Sequence, residues 1–340
     1  MEQKFKKGDL ISIIIPAYNG GKFLEEWSIP SVLSQTYSNW EIIVVDNRSS
    51  DETPVVVAEF CKKDRRISYE KAFEKQGLAF AYNVGIRRAK GEMVAFLEQD
   101  DIWLPDKLER QISAMVQNEN YIYSTSQCWL LDEATMKIFG IAPAVFSGVM
   151  MYKNVFEKIG LFDESRELLG IQDGDLQAML NLAYKKSNPN YHLILDAPLI
   201  LFTRHKGSLS ARGENSSKKF IERYSAICKK YDRPEFIDNE GIRDLLGFWY
   251  THLALNFLLI GNDKDGRICL ERVMDIRPSS EIYIITILSH FPAKIAQGMF
   301  VFINELKKIT GGFQAIVYRH KYKKDFHHAQ EILKSIKRKK

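Results

Sequence analysis

Cysteine is scarce, with Cys61, Cys128, Cys228 and Cys269 scattered through 340 residues and no CxxC spacing among them. That pattern suggests neither a zinc site nor a disulfide framework, and reduced thiols in a cytoplasm are the expectation. Long apolar runs are also missing. The nearest, Leu245 to Ile260, is broken by Thr251, His252 and Asn256, which argues against a membrane span of about 18 or more residues. The opening residues 1–9 are basic but lack the apolar centre of a signal peptide, and read as a leader. No GxGxxG follows the first apolar run and no GxxxxGK[ST] occurs, so any nucleotide must be held by carboxylates, backbone groups and a cation. A net charge of +5 is too mild to imply strong nucleic-acid binding.

What is present is alternation. At 45% hydrophobic content the chain has ample core for one large domain and a smaller one. Residues 10–17, LISIIIPA, are a continuous run ended by Pro16, Asn19 and Gly20, which suits a strand buried on both faces. Phe23 to Gln35 suits a helix bent at Pro30, and Glu41 to Val45 is a second buried strand that stops at Asp46, Asn47 and Arg48. Thr53 as N-cap with Pro54 at the first helical position starts a helix through Cys61. Ile67 to Tyr69 reads as a short third strand, Leu78 to Ala89 as a helix and Met93 to Leu97 as the fourth strand. Such an order predicts an α/β fold on a mainly parallel sheet.

The fourth strand leads into the stretch around which the chain is organised, MVAFLEQDDIWLPDKLERQ from Met93 to Gln111. Glu98, Asp100 and Asp101 place three carboxylates in four residues at the carboxyl end of a strand, where open α/β sheets bind ligands. Their repulsion can be relieved by solvent, as a turn capping the next helix. It can equally be relieved by a hard divalent cation, which would recruit phosphate.

Two blocks, SIIIPAYNGG through DET (12–53) and GLAFAYNVG through LERQ (77–111), resemble the opening and middle of a family 2 glycosyltransferase of the GT-A fold, the nucleotide-diphospho-sugar transferase superfamily. The likeness runs over the first 210 or so positions. It implies a GT-A (Rossmann-like) catalytic domain over 10–211, its sheet sandwiched by helices, followed by an α-helical region over 212–340. It also implies roles. Pro16, Ala17 and Tyr18 would floor a nucleobase pocket, and Asp46 would accept from the base imide, favouring a UDP- or dTDP-linked donor. Asn47 stands where many members carry a second Asp, and Asp51 reads equally as a helix-start residue. Asn83 would lie near the sugar and diphosphate, where Tyr82 replaces a frequent Arg.

EQDD resembles the family's DxD metal motif, which makes Asp100 the direct ligand of Mn²⁺ or Mg²⁺ with Asp101 adjacent. Glu98 stands in place of the first Asp, within reach of the ribose. At about 4 Å and an effective dielectric near 20, each unit-charge pair is worth roughly 4 kcal/mol before desolvation. SGVMMYKNVFEKIGLFDESRELLGIQDGDLQAML (147–180) resembles the acceptor-side block. There Asp173 would be the general base of an inverting displacement, Gln172 having replaced its acidic neighbour; DGD is also helix-start chemistry before a helix over Asp175 to Tyr184. LFTRHKGSLS (201–210) resembles a segment that closes over the diphosphate. Arg204 would pair with phosphate and His205 would be a third metal ligand, or a structural histidine.

Beyond 212, Ser216 to Lys219 is a polar joint and His252 to Pro278 reads as one helix-turn-helix, similar to a single tetratricopeptide unit. Phe291 to Ile309 is amphipathic, suited either to docking on the catalytic domain or to a membrane surface. From Glu305 to Lys340 there are eleven Lys/Arg against three acids. The whole reads as an inverting, metal-dependent glycosyltransferase acting on a saccharide or lipid-linked acceptor in cell-surface glycan assembly, cytoplasmic or peripheral on the inner face of the plasma membrane. The alternatives are a catalytically silent sugar-nucleotide-binding protein, motivated by Glu98, Gln172 and Tyr82, and a helical scaffold.

Overall fold

The computed structural model describes residues 8–72, 77–142, 144–165, 168, 170–205, 207, 216–276 and 321–339. The stretch Phe291–Ile309, the serines at 208 and 210 and most of the leader lie outside them. The chain forms two units, one of Met1–Phe162, Asn188–His205 and Gly311–Lys340, the other of Asp163–Ser187 and Lys206–Thr310.

The first unit is built on β1 (Ile11–Ala17), β2 (Trp40–Asp46), β3 (Ile67–Lys71) and β4 (Met93–Phe96), parallel throughout in the order β3-β2-β1-β4. Ile11, Ile13, Ile14 and Ile15 are fully buried, as strands of a parallel sheet covered on both faces must be. Each such side chain contributes about 1.5–3 kcal/mol by leaving water. Pro16 is tolerated in this central strand because β4 ends beside it. Ile14 accepts the last β4-side bond, from the Leu97 amide at 3.1 Å, and Pro16, two residues on, faces the same way with no partner strand left to serve.

α1 (Gly21–Phe23) passes through one π turn (Leu24–Ser28) into α2 (Ile29–Leu33). The bend expected at Pro30 is thus taken up in the preceding turn, where the proline ring would otherwise strike a carbonyl. In α3 (Thr53–Lys63) the cap position falls to Glu52, and the Thr53 hydroxyl accepts from the Gly20 amide at 3.0 Å instead of capping. α4 (Leu78–Arg88) lies close on β1, since a Cβ at Gly85 would stand 2.4 Å from Ile14. α5 (Lys107–Met115) follows Pro105 by two residues.

The rest of the sheet is mixed, so "mainly parallel" describes only its β1 side. β5 (Ile102–Trp103), β6 (Tyr123–Asp132), β7 (Lys137–Ala142), β8 (Met150–Tyr152) and β9 (His192–Arg204) extend the order as β4-β8-β6-β9-β5, with β7 on β6. Only β6 and β9 are parallel there; β4–β8, β6–β8, β5–β9 and β6–β7 run antiparallel. β6 and β7 are joined by a connection too short for a crossover helix, which requires antiparallel pairing. α6 (Val155–Ile159) follows β8.

The basic segment at the end of the chain returns to this unit as α12 (Lys323–Lys339). Its Ala329, Leu333 and Ile336 are buried against Trp129, Leu131, Ile138 and Leu201, and Arg110 donates to Asp325 at 2.8 Å.

The second unit is helical: α7 (Gln172–Tyr184), α8 (Ser216–Tyr231), α9 (Pro234–Ile237), α10 (Glu240–Leu259) and α11 (Asp263–Ile276). Ile171, Ala178, Ile227, Tyr231, Ile242, Leu246 and Trp249 form its core. The division expected at 211/212 is not the one the fold makes, because α7 buries its apolar face against α8 and α10 and so joins the helices. α10 and α11 are the expected helix-turn-helix, beginning well before His252, with Leu253, Leu258, Cys269 and Leu270 between them. Among the described residues no helix is long and apolar enough to cross a membrane.

Candidate active site

The carboxyl ends of β1 and β2 are bound together by side-chain to backbone bonds. Asn19 (φ 48°) donates its amide to Ser49 Oγ, Ser50 donates to Asn19 Oδ1, and Gly21 donates to Asp51 Oδ2 at 3.1 Å. Asp51 also accepts from the Thr53 amide. Burial pushes its carboxyl up, but the bonds from Thr53 and Gly21 outweigh that and hold it below the ordinary carboxylate value. Asp51 is therefore a loop clasp. Pro16 and Ala17 are buried beneath this loop, whereas Tyr18 is 50% exposed, so the open surface here belongs to Tyr18.

Asp46, expected to accept from the base imide, lies inside the end of β2. It is fully buried, with Oδ1 accepting from the Ser49 amide at 2.8 Å and Oδ2 from the Tyr69 hydroxyl at 2.5 Å. Each oxygen of this carboxylate already accepts a bond from the protein. Asn83 is likewise committed: its carboxamide donates to the Phe162 carbonyl and accepts from the Phe162 amide, at 2.9 and 3.0 Å. It pins Phe162 to α4. Tyr82 is packed among Phe96, Phe146 and Phe162, the place of an aromatic core residue and not of a phosphate-binding cation.

Glu98 to Asp101 is a tight turn closed by the Asp101 amide on the Glu98 carbonyl at 3.1 Å. Its two aspartates part company. Asp100 Oδ2 meets His205 Nε2 at 2.7 Å, with side chains 17% and 14% exposed, and the His205 ring lies 5.0 Å from that of Phe23. The bond to Asp100 raises the imidazole's pKa, burial opposing it. Asp101 turns inward, fully buried, with Oδ2 accepting from Ser147 Oγ at 2.5 Å and Oδ1 from the Thr203 amide at 2.9 Å. Burial, then the charges of Asp100 and Glu98, push its carboxyl well above the usual range. Asp101, expected among the cation ligands, is a strut between the turn, the 146–148 turn and β9, because both oxygens are spent inside the protein. Glu98 donates its amide to Ser147 Oγ, and its carboxylate is half-buried. Arg204, beside His205, sets its guanidinium 5.8 Å from the centre of the Phe139 ring.

In the helical unit, α7 begins at Gln172, so Asp173 lies within the first turn and is not its cap. Gln172 accepts from the Gly170 amide at 3.0 Å, and Asp175, 1% exposed, accepts from Lys230 and Tyr231 at 2.7 Å each. Asp173 stays exposed, its Oδ1 accepting from the Gly174 amide at 2.8 Å. Its area says it can be reached. The protein crowded around it nonetheless desolvates the carboxyl and raises it, against the Gly174 bond, which favours a proton acceptor.

Among the described residues no group of three or more His, Cys, Asp and Glu converges as a cation cage. The Asp100–His205 pair still fits a divalent ion that completes its shell with diphosphate oxygens, since one carboxylate and one imidazole suffice where the substrate supplies the rest. Sequence reasoning passed over Gln99, Ser147 and Tyr69, whose roles depend on partners far along the chain.

Residues 12–128 match the sequence model for glycosyl transferase family 2. The uncharacterized glycosyltransferase RT0329 of Rickettsia typhi is 33% identical over 281 residues, 76% of this chain and 81% of that protein. The Escherichia coli UDP-Glc:alpha-D-GlcNAc-diphosphoundecaprenol beta-1,3-glucosyltransferase WfgD is 47% identical over 109 residues, 32% of this chain and 42% of that one. The match spans only 22% of the length of a Rickettsia bellii relative and 23% of one from Rickettsia conorii. Among solved structures, Staphylococcus aureus TarS 1-349 in complex with UDP-GlcNAc is similar at a TM-score of 0.56 and 17% identity, covering 84% of this chain and 87% of that one. The mannosyltransferase PcManGT of Pyrobaculum calidifontis, in complex with GDP-Man and Mn²⁺, is similar at 0.54 and 14%, over 97% and 90%. These two likenesses bear on the fold.

Proposed function

The chain belongs to glycosyl transferase family 2 and has the GT-A fold, and from that premise we propose that it is an inverting, cation-assisted glycosyltransferase. It moves a sugar from a UDP- or dTDP-linked donor to a hydroxyl of a saccharide or lipid-linked acceptor. The observation that carries the reading is the Asp100–His205 pair, held at the carboxyl end of the sheet by a turn whose neighbouring carboxylate is anchored inside the protein. WfgD and TarS, named with uridine-linked sugars, favour the uracil-type donor, and WfgD's named diphosphoundecaprenol acceptor favours a lipid-linked one.

Tyr18, over Pro16 and Ala17, faces the base, and Arg204 carries positive charge to the diphosphate. Asp173 takes the proton of the acceptor hydroxyl as that oxygen attacks the anomeric carbon opposite the leaving group, which inverts its configuration. Asp100 and His205 would hold a Mn²⁺ or Mg²⁺, which when bound supplies Lewis-acid neutralisation of the departing diphosphate. PcManGT, described with Mn²⁺, supports that choice of ion. α12 keeps its apolar face against the sheet unit and leaves Lys323, Lys324 and Lys334 exposed. Any hold of α12 on an anionic inner-leaflet surface is then electrostatic and not by insertion.

Calorimetric titration of UDP, dTDP and GDP, with and without Mn²⁺, on wild type and Asp100→Ala tests the donor site. Cation-dependent binding of one nucleotide that Asp100→Ala abolishes is expected. Folded protein that binds none of them would overturn the reading, and binding without transfer to any acceptor would favour the silent alternative.

A further inference from the structure

Between Glu98 and Asp100 stands a residue to which the chemistry above gives no work. Gln99 Oε1 accepts from the Tyr18 amide at 2.9 Å and its Nε2 donates to the Tyr18 carbonyl at 3.1 Å. The carboxamide therefore pairs with Tyr18 as a neighbouring strand would, just beyond the point where the β1–β4 ladder ends at Leu97 and Ile14. Room for it exists because residue 20 has no side chain. A Cβ at Gly20 would stand 2.0 Å from Gln99 Oε1 and 2.4 Å from its Cδ. The same loop is tied on its other flank to Ser49, Asp51 and Thr53.

We propose that Gln99 is a positioning residue of the donor site: seated in the socket left by Gly20, it locks the Tyr18 loop to the turn that carries Asp100. The proposal rests on the reading that these two segments hold the nucleoside and the diphosphate. A nucleoside diphosphate has a fixed reach between its base and its phosphates, so the segments that grip its ends must keep a fixed separation. Gln99 sets it. The chemistry of the contact asks for glutamine, since Glu accepts from the Tyr18 amide but cannot donate to the carbonyl, and Asn is one methylene short.

The test is calorimetric titration of UDP, dTDP and GDP with Mn²⁺ on wild type, Gln99→Ala, Gln99→Glu, Gly20→Ala and the Gly20→Ala/Gln99→Ala double variant, with thermal unfolding run on each. Gln99→Ala should weaken the nucleotide that wild type binds by about tenfold, the order expected for two lost hydrogen bonds, with Gln99→Glu in between. Gly20→Ala should lose a similar factor because its methyl evicts the carboxamide. The double variant should then bind no worse than the weaker single, since both changes empty one socket. Unaltered Kd in Gln99→Ala, whatever its Tm, would reduce the contact to scaffolding and overturn the proposal while the donor reading stands. Losses that multiply in the double variant would overturn the socket. Wild type that binds none of the three nucleotides would remove the donor reading and the positioning role together.

Discussion

Two acidic turns, Glu98 to Asp101 in the sheet unit and Gln172 to Asp175 in the helical unit, are built to one plan with different means. In each, one carboxylate is buried and spent on the protein while a near neighbour stays within reach: Asp101 beside Asp100, Asp175 beside Asp173. The means differ in charge. Asp101 is satisfied by a hydroxyl and an amide, and its carboxyl is pushed well above the usual range; Asp175 receives the ammonium of Lys230 and the hydroxyl of Tyr231. The difference teaches that a buried acid can hold a turn without a counter-charge if it need not stay ionised, whereas one paired with lysine commits both charges at once.

The sharpest way to break the comparison is through the reachable members. Asp100→Ala and Asp173→Asn should each lower sugar transfer by about a hundredfold or more, with unfolding midpoints near wild type. Were either to unfold the protein instead, that turn would have lost its division of labour. Next in size is Asp175→Ala, which leaves the buried Tyr231 hydroxyl unpaired and the Lys230 ammonium with Asp163 alone, and should cost about 2–3 kcal/mol in urea unfolding. Asp101→Ala leaves Ser147 and Thr203 unpaired and should cost roughly 2 kcal/mol, and Asp101→Asn less.

The sheet turn also carries a pH dependence of definite sign. The folded carboxyl of Asp101 lies above its unfolded value near 4, so its contribution is complete at lower pH and is lost as pH rises through the folded value. Asp101→Asn should remove that dependence. A control lies away from both turns. His192, bonded to Thr125 and ringed by Tyr123 and Tyr191, is pushed down to about 4 by burial. It favours the folded state above its unfolded value of about 6.5, and that contribution drains away as pH falls toward 4. His192→Gln should flatten the stability curve across that window.

Much of the sheet unit was legible because strands buried on both faces write themselves as unbroken apolar runs: ISIIIPA and EIIVV fall within β1 and β2, and the EQDD turn sits where β4 stops. The helix-turn-helix was legible for a similar reason, a repeating apolar stripe. What could not be read was which carboxylate faces inward. Asp101 is fixed by Ser147 and Thr203, 46 and 102 positions away, and Gln99 by Tyr18, 81 positions away. No local pattern marks those partners, and neighbouring aspartates look alike until the chain closes around one of them. The second half of the sheet was missed because its strands alternate direction through turns; α7 was expected over Asp175 to Tyr184, but its place among the helices was not, because its apolar face matches helices that lie beyond β9 in the chain.

The seating of α12 carries a consequence for synthesis. Arg110 and Asp325 are 215 positions apart, and Trp129, Leu131 and Leu201 await the apolar face of a helix made long after them. While the ribosome is still producing the helical unit, that patch of the sheet stands uncovered, an adhesive surface on a nascent chain. Completion of the sheet unit is therefore deferred until residues 323–339 emerge, and in that interval a chaperone has a defined place to hold.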